Sequence, residues 1–158
     1  MNSHHTVAIG TWEGDKQQSI EYNSSIAVGI DCPRAKLRVS ILLDTIQEYQ
    51  VRYIFSDEEI SEAVNEAGLI IGARGIAYEG VLQRKPVIVV GEYGFGGLVT
   101  PDTLHEQFNN YFRGKINGIK AEYFSLERLE EEIRRGFALT FQELQMMSNQ
   151  TIRFLHNI

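Results

Sequence analysis

The chain has 158 residues, the length of one domain and enough to bury one core. Hydrophobic residues make up 43% and charged residues 23%, values ordinary for a globular protein that argue against disorder and coiled coil. The net charge of −6 argues against a nucleic-acid partner, which would demand a basic face.

No apolar run approaches the roughly 20 residues that span a bilayer, so no membrane span is expected. Met1 to Gly10 lacks the basic-then-apolar order of a secretory signal. Cys32 is the only cysteine, so neither an internal disulfide nor a cysteine metal cage can form, which fits a reducing cytoplasm. His4 and His5 are adjacent while His105 and His156 are isolated. None has metal-ligand spacing, and no metal site is expected.

In chain order, Thr6 to Gly10 reads as a short strand, and the polar stretch Glu13 to Ser25 as a loop. Ser25 to Ile30 is an apolar run bounded by turn residues, hence a strand. Pro33 suits a helix start, and the helix continues over Lys36 to Tyr49 with Leu37, Ile41, Leu42, Leu43, Ile46 and Tyr49 as its apolar face. Val51 to Phe55 is a strand. Ser56 and Glu59 have the spacing of a capping box. Ile60, Ala63, Val64 and Ala67 then share one helix face, and Gly68 stops that helix.

Leu69 to Gly72 forms a short apolar strand, Gly75 to Gln83 a helix, and Pro86 to Gly91 a continuous apolar strand suited to the centre of a parallel sheet. Glu92 to Val99 is glycine-rich and reads as a flexible turn. Thr100 and Pro101 suit the cap and first position of a helix through Phe112. After a loop over Gly114 to Glu122, Ser125 caps a helix carrying Leu129, Ile133 and Phe137. Phe141 to Leu155 is the last helix.

Strands alternate with helices through short connections, which implies an α/β fold with an open parallel sheet covered on both faces. Leu69 to Ile71 and Pro86 to Val90 are expected to be adjacent and central. Ligands of such sheets lie at the carboxyl ends of the strands, here after Ile71 and after Val90.

After Ile71 the chain reads Gly72, Ala73, Arg74, Gly75, Ile76 and enters a helix with Glu79 one turn inside. Small residues let a ligand approach the backbone, and the helix start offers unpaired amides and a positive dipole end. Together these favour a phosphate or diphosphate, with Arg74 as an added charge. Glu79 lies too far in for the phosphates and suits a ribose diol, whose two hydroxyls match a carboxylate's two oxygens. The plainer alternative is that the glycines serve the turn, Glu79 serves the helix dipole, and Arg74 pairs with an acid. The segment lacks the full GxGxxG fingerprint, which argues against a standard NAD site.

The stretch GLIIGARGIAYEGVLQRKPVIVV, from Gly68 to Val90, resembles the donor site of B-type nucleotide-sugar glycosyltransferases, whose two Rossmann-like domains face each other across a cleft. The shared pattern is an apolar strand, a small glycine-containing turn, a helix with one acid, and a strand opening Pro-Val-Ile. Glu79 precedes Pro86 by the family's spacing. Ser56-Asp-Glu-Glu-Ile resembles the helix before the donor strand, and GEYGFGGLVTP from Gly91 resembles a bacterial polysaccharide-type branch. The resemblance covers Val51 to Tyr123 and is weak before Val51.

This resemblance implies a single Rossmann-like donor-binding domain spanning the chain, half of a glycosyltransferase of the B type. Its substrate would be a nucleotide diphosphate sugar, with no separate cofactor, and the acceptor would be a glycan or lipid-linked. An acceptor-binding domain in cis or in trans would complete the enzyme, either in the cytoplasm or at the inner face of the membrane through a partner. Glu79 would hold the ribose, and the amides near Gly75 and Ile76 the diphosphate. Many retaining members carry a second glutamate where this chain has Ile71, so the stereochemical class stays open. The family's phosphate-binding Arg and Lys follow the first strand of this half, which makes Arg34, Lys36, Arg38 and Lys16 candidates or else a solvated basic surface. Gly94, Gly96 and Gly97 are candidates for an anion nest or for sugar approach, or else form a simple turn. Tyr93 and Phe95 suit stacking on a base or sugar, or packing. No catalytic residue is identified. Two other readings remain open: a non-catalytic nucleotide-binding or protein-interaction module, and a sugar-nucleotide epimerase-like half.

Overall fold

The structure, a computed structural model, describes residues 4–10, 17–115 and 118–157. Lys16 lies outside them. The main sheet is built from β3 (Ser25–Gly29), β4 (Gln50–Tyr53), β5 (Leu69–Gly72), β6 (Val87–Gly91) and β7 (Gly94–Leu98) in the order β4-β3-β5-β6-β7. The first four run parallel and β7 runs antiparallel to β6. The sheet is therefore mixed but mostly parallel, and the expected pair β5 and β6 lies side by side within it.

Each central strand is apolar on both faces because both are covered. On one side Ile26, Val28, Leu69, Ile71, Ile88 and Val90 pack under α1 (Pro33–Ile46) and α5 (Leu126–Phe137). On the other, Ala27, Ile70, Val87 and Val89 pack under α2 (Ile60–Glu66), α3 (Gly75–Leu82), α4 (Leu104–Asn109) and α6 (Phe141–His156). Ser125 caps α5 as expected, its hydroxyl accepting from the Arg128 amide at 3.1 Å. Among the described residues no helix is long and apolar enough to cross a membrane.

Several local expectations shift. The strand at Thr6 to Gly10 becomes β1 (His4–Gly10), which pairs antiparallel with β2 (Gln17–Asn23) apart from the main sheet. The loop expected over Glu13 to Ser25 thus holds a strand from Gln17 on, since Ile20 and Tyr22 alternate with polar residues at the strand period. Helix α1 turns Ala35, Val39, Leu42 and Leu43 inward and leaves Leu37 and Ile41 exposed. A 3-10 turn at Asp57–Glu59 precedes α2, so the Ser56 side chain caps nothing and the Glu59 carboxylate accepts from the Phe55 amide at 3.0 Å instead.

The glycine-rich stretch after β6 is a strand rather than a turn. Its glycines make room for buried side chains: Gln107 donates to the Gly96 carbonyl at 2.8 Å, and Glu132 lies against Gly97. The ladder shifts register beside Val89 and Val90, leaving Gly96 as the extra residue of a bulge. Thr100 and Thr103 bond each other's amides and form a turn, which delays α4 to Leu104. That helix ends at Asn109 because Tyr111 and Phe112 turn to φ 58° and 51°.

Candidate functional site

Strand β3 connects through α1 to β4 on one side, while β5 lies on its other side, so the chain reverses its winding direction between β3 and β5. Such a reversal leaves a crevice at the carboxyl ends of the strands. Here that crevice encloses about 740 Å³, within the range of small-molecule sites. Gly29 at the end of β3 with Asp31 and Cys32 beyond it, Phe55, Ser56 and Asp57 after β4, Ala73 to Ile76 after β5, and Gly91 at the end of β6 with Glu92 beyond it all contribute to its wall.

Two glycines seat α3 on the sheet. Gly29 and Gly72 are register partners at the ends of β3 and β5. A β-carbon on Gly29 would stand 2.8 Å from Ile76 Cδ1, and one on Gly72 would stand 2.6 Å from Ile76 Cγ2. Their absence lets Ile76, 3% exposed, drop between the strand ends and bring the first turn of α3 to the crevice. Gly72 is thus a packing residue at the back of the site. At the other end of α3, the Ser148 hydroxyl of α6 donates to the Leu82 carbonyl at 2.9 Å.

The cap residues of two helices, Cys32 for α1 and Arg74 for α3, both stand in the crevice wall. First-turn amides have no carbonyl partner within their own helix, so two positive dipole ends converge here. Neither cap residue closes its helix with a side-chain hydrogen bond. Arg74 adopts φ 57°, ψ −125°, a region costly for any residue with a β-carbon. Its amide donates to the Phe112 carbonyl at 3.0 Å. Phe112 is fully buried and meets Tyr78 of α3 edge-on, so the loop after α4 holds the turn from behind.

The Arg74 side chain turns to Glu92, which also lies 3.2 Å from Arg113 Nε. The hydrogen bond from Arg74, and then its charge, holds Glu92 below the usual carboxylate range; the same bond pushes the Arg74 guanidinium up. Glu92 therefore stays ionised near neutrality, which suits a charge partner and not a proton acceptor.

Of the residues expected to bind a donor, Ala73, Arg74, Gly75 and Ile76 are brought into one wall. Glu79 is not among the lining residues; its carboxylate accepts from Gln83 Nε2 at 3.2 Å, one turn further along α3. Lys36 reaches the rim, its ammonium 4.1 Å from the centre of the Phe55 ring. Neither Arg34 nor Arg38 lines the crevice: Arg34 pairs with Glu122 at 3.3 Å, and Arg38 donates to the Phe124 carbonyl at 2.9 Å. Gly96 and Gly97 belong to β7, where the space a nest would need is filled by Gln107 and Glu132. Phe95 is buried against Phe124.

Sequence reading did not single out the lining residues Asp31, Cys32, Ser56, Asp57 and Glu92, nor Arg113, which does not line the crevice but meets its wall at Glu92. Glu92 lies in the segment after Val90 that the strand-end rule had already singled out, while Asp31, Cys32, Ser56 and Asp57 lie beyond β3 and β4, where the same rule would have pointed to them. Arg113 comes from the distant loop after α4 and carries no such signal. Among the described residues, no group of three or more His, Cys, Asp or Glu side chains is placed to hold a metal. No family model, no curated protein and no solved structure matches the chain.

Proposed function

We propose that this domain is the donor-binding half of a nucleotide-sugar glycosyltransferase of the B type. One observation carries the reading: the small-residue turn Gly72 to Gly75 delivers the first turn of α3 into a crevice at the winding reversal of the sheet. First-turn amides without a carbonyl partner in the helix, a positive dipole end and Arg74 suit a diphosphate there. Asp31 and Asp57 line the same crevice and suit the hydroxyls of a sugar or ribose, since an ionised carboxylate only accepts hydrogen bonds. On this reading transfer needs an acceptor-binding domain, in cis or in trans, which supplies the general base. The setting is the cytoplasm, or the inner face of the membrane through that partner, and the acceptor is a glycan or a lipid-linked sugar.

Calorimetric titration with UDP, GDP and their sugars tests the proposal. Binding that depends on the diphosphate supports a donor site. A folded domain that binds none of them contradicts it and favours a protein-interaction module.

A further inference from the structure

Three carboxylates, Asp31, Asp57 and Glu92, line the crevice against one guanidinium, Arg74. A diphosphate entering that wall as it stands would meet net repulsion. Glu92 is the carboxylate best placed to yield, because its side chain is 45% exposed and sits on the segment just beyond β6. Two arginines converge on one of its oxygens: Arg74 Nη2 bonds Glu92 Oε1, and Arg113 Nε lies 3.2 Å from the same atom. Arg113 Nε is shielded from solvent yet has no aligned hydrogen-bond acceptor. A buried donor left in that condition costs free energy that a better-placed acceptor would recover.

Arg113 is held ready for such an acceptor. Its Nη1 donates to the Tyr93 hydroxyl at 3.1 Å, and its guanidinium lies 5.7 Å and 5.3 Å from the centres of the Tyr93 and Tyr111 rings. Its carbonyl accepts from the Tyr93 amide at 2.9 Å, which ties the loop to the strand end. We propose that Arg74 and Arg113 form a two-arginine seat for a pyrophosphate group, and that Glu92 is the carboxylate which this group displaces. The exchange removes one negative charge from the wall and offers both forks several phosphate oxygens in place of one carboxylate oxygen. The proposal rests on the donor-site reading above and adds to it a second phosphate ligand and a built-in competitor.

The test uses the full chain, with inorganic pyrophosphate and UDP as probes, and with folding of each variant checked by thermal melting. Glu92→Gln removes the competitor and is expected to tighten pyrophosphate on the order of 10-fold. Arg113→Lys keeps the charge but loses the fork, and is expected to weaken both probes by about 10-fold, in the wild type and in the Glu92→Gln background. Nitrogen-15 NMR of the wild type supplies a readout that needs no variant: the Nε–H signals of Arg74 and Arg113 should both move on adding pyrophosphate. If UDP binds while Glu92→Gln is no tighter and the Arg113 signal stays still, the two-arginine seat is overturned and the donor site stands. If neither probe binds the wild type or Glu92→Gln, both readings fall together.

Discussion

The amide of Arg74 donates to the carbonyl of Phe112 at 3.0 Å, so the turn that enters α3 is fixed by a loop from beyond α4. That bond helps hold Arg74 at φ 57°, ψ −125°, where only glycine is at ease. Arg74→Gly should therefore relax the turn, raising the melting temperature by about 2–4 °C after glycine's own entropy is subtracted. It should also weaken nucleoside diphosphates by about 10-fold through loss of a charge-assisted contact. Melting curves and calorimetry on one preparation check both signs. A variant that melts lower would show that the strained arginine serves the fold, and one that binds as well would take its side chain out of the binding site.

Gly75 separates backbone approach from packing. A β-carbon there meets only Ile60 Cδ1, at 3.6 Å, which is ordinary contact. Gly75→Val should fold normally and project its methyls toward the crevice that Gly75 lines. Affinity for a nucleoside diphosphate should fall more than about 10-fold, a steric loss read directly by titration. An unaltered dissociation constant in the folded variant would remove the α3 turn from the binding site. Gly72→Ala is the wrong probe, because its β-carbon would strike the Gly29 carbonyl and disturb the sheet.

The layered α/β arrangement was legible because β5 and β6 are apolar on both faces and their neighbours carry clear helical periodicity. The turn after β5 was legible because the apolar run ends at Gly72 and a helical stretch resumes at Gly75. Strand β7 was not, because four of the ten residues from Gly91 to Thr100 are glycines and local preference there favours a turn. Its extended form is bonded by Gln107 of the next helix and by Glu132, 34 residues beyond Leu98. The pairing of Glu92 with Arg74 and Arg113 was hidden likewise: it joins three separate loops, and no spacing in the sequence encodes it.

Glu132 illustrates a buried charge with a structural task. Its side chain is 3% exposed, accepts from the Leu98 amide at 3.3 Å and pairs with Arg135 at 2.8 Å and Arg128 at 3.5 Å. Glu132→Ala leaves the Leu98 amide and both guanidiniums without this partner. The expected cost is about 2–3 kcal/mol in urea unfolding, less than for a fully enclosed pair because both arginines are half exposed. Nucleotide affinity should be unchanged in the remaining folded fraction. A cost near zero would mean that water replaces the carboxylate.

Glu79 tests the ribose assignment separately. It now accepts from Gln83, so a ribose contact requires its carboxylate to leave that partner and reach toward the crevice. If it does so, Glu79→Gln should cost a ribonucleotide on the order of 1–3 kcal/mol and its 2′-deoxy analogue less. Calorimetry on the four combinations gives the coupling. Strictly additive losses would leave Glu79 as a partner of Gln83 and place the ribose elsewhere.

A nucleoside diphosphate bound at the first turn of α3 would be seen in an amide-detected NMR titration of the full chain. UDP, UMP and uridine are added in parallel, then GDP, GMP and guanosine. One diphosphate should bind more tightly than its monophosphate and nucleoside, with the largest shifts at Gly75 and Ile76 and smaller ones at Cys32 and Glu92. Shifts that ignore the phosphate count, or that fall outside the crevice, would contradict that placement, as would spectra that none of the six compounds changes.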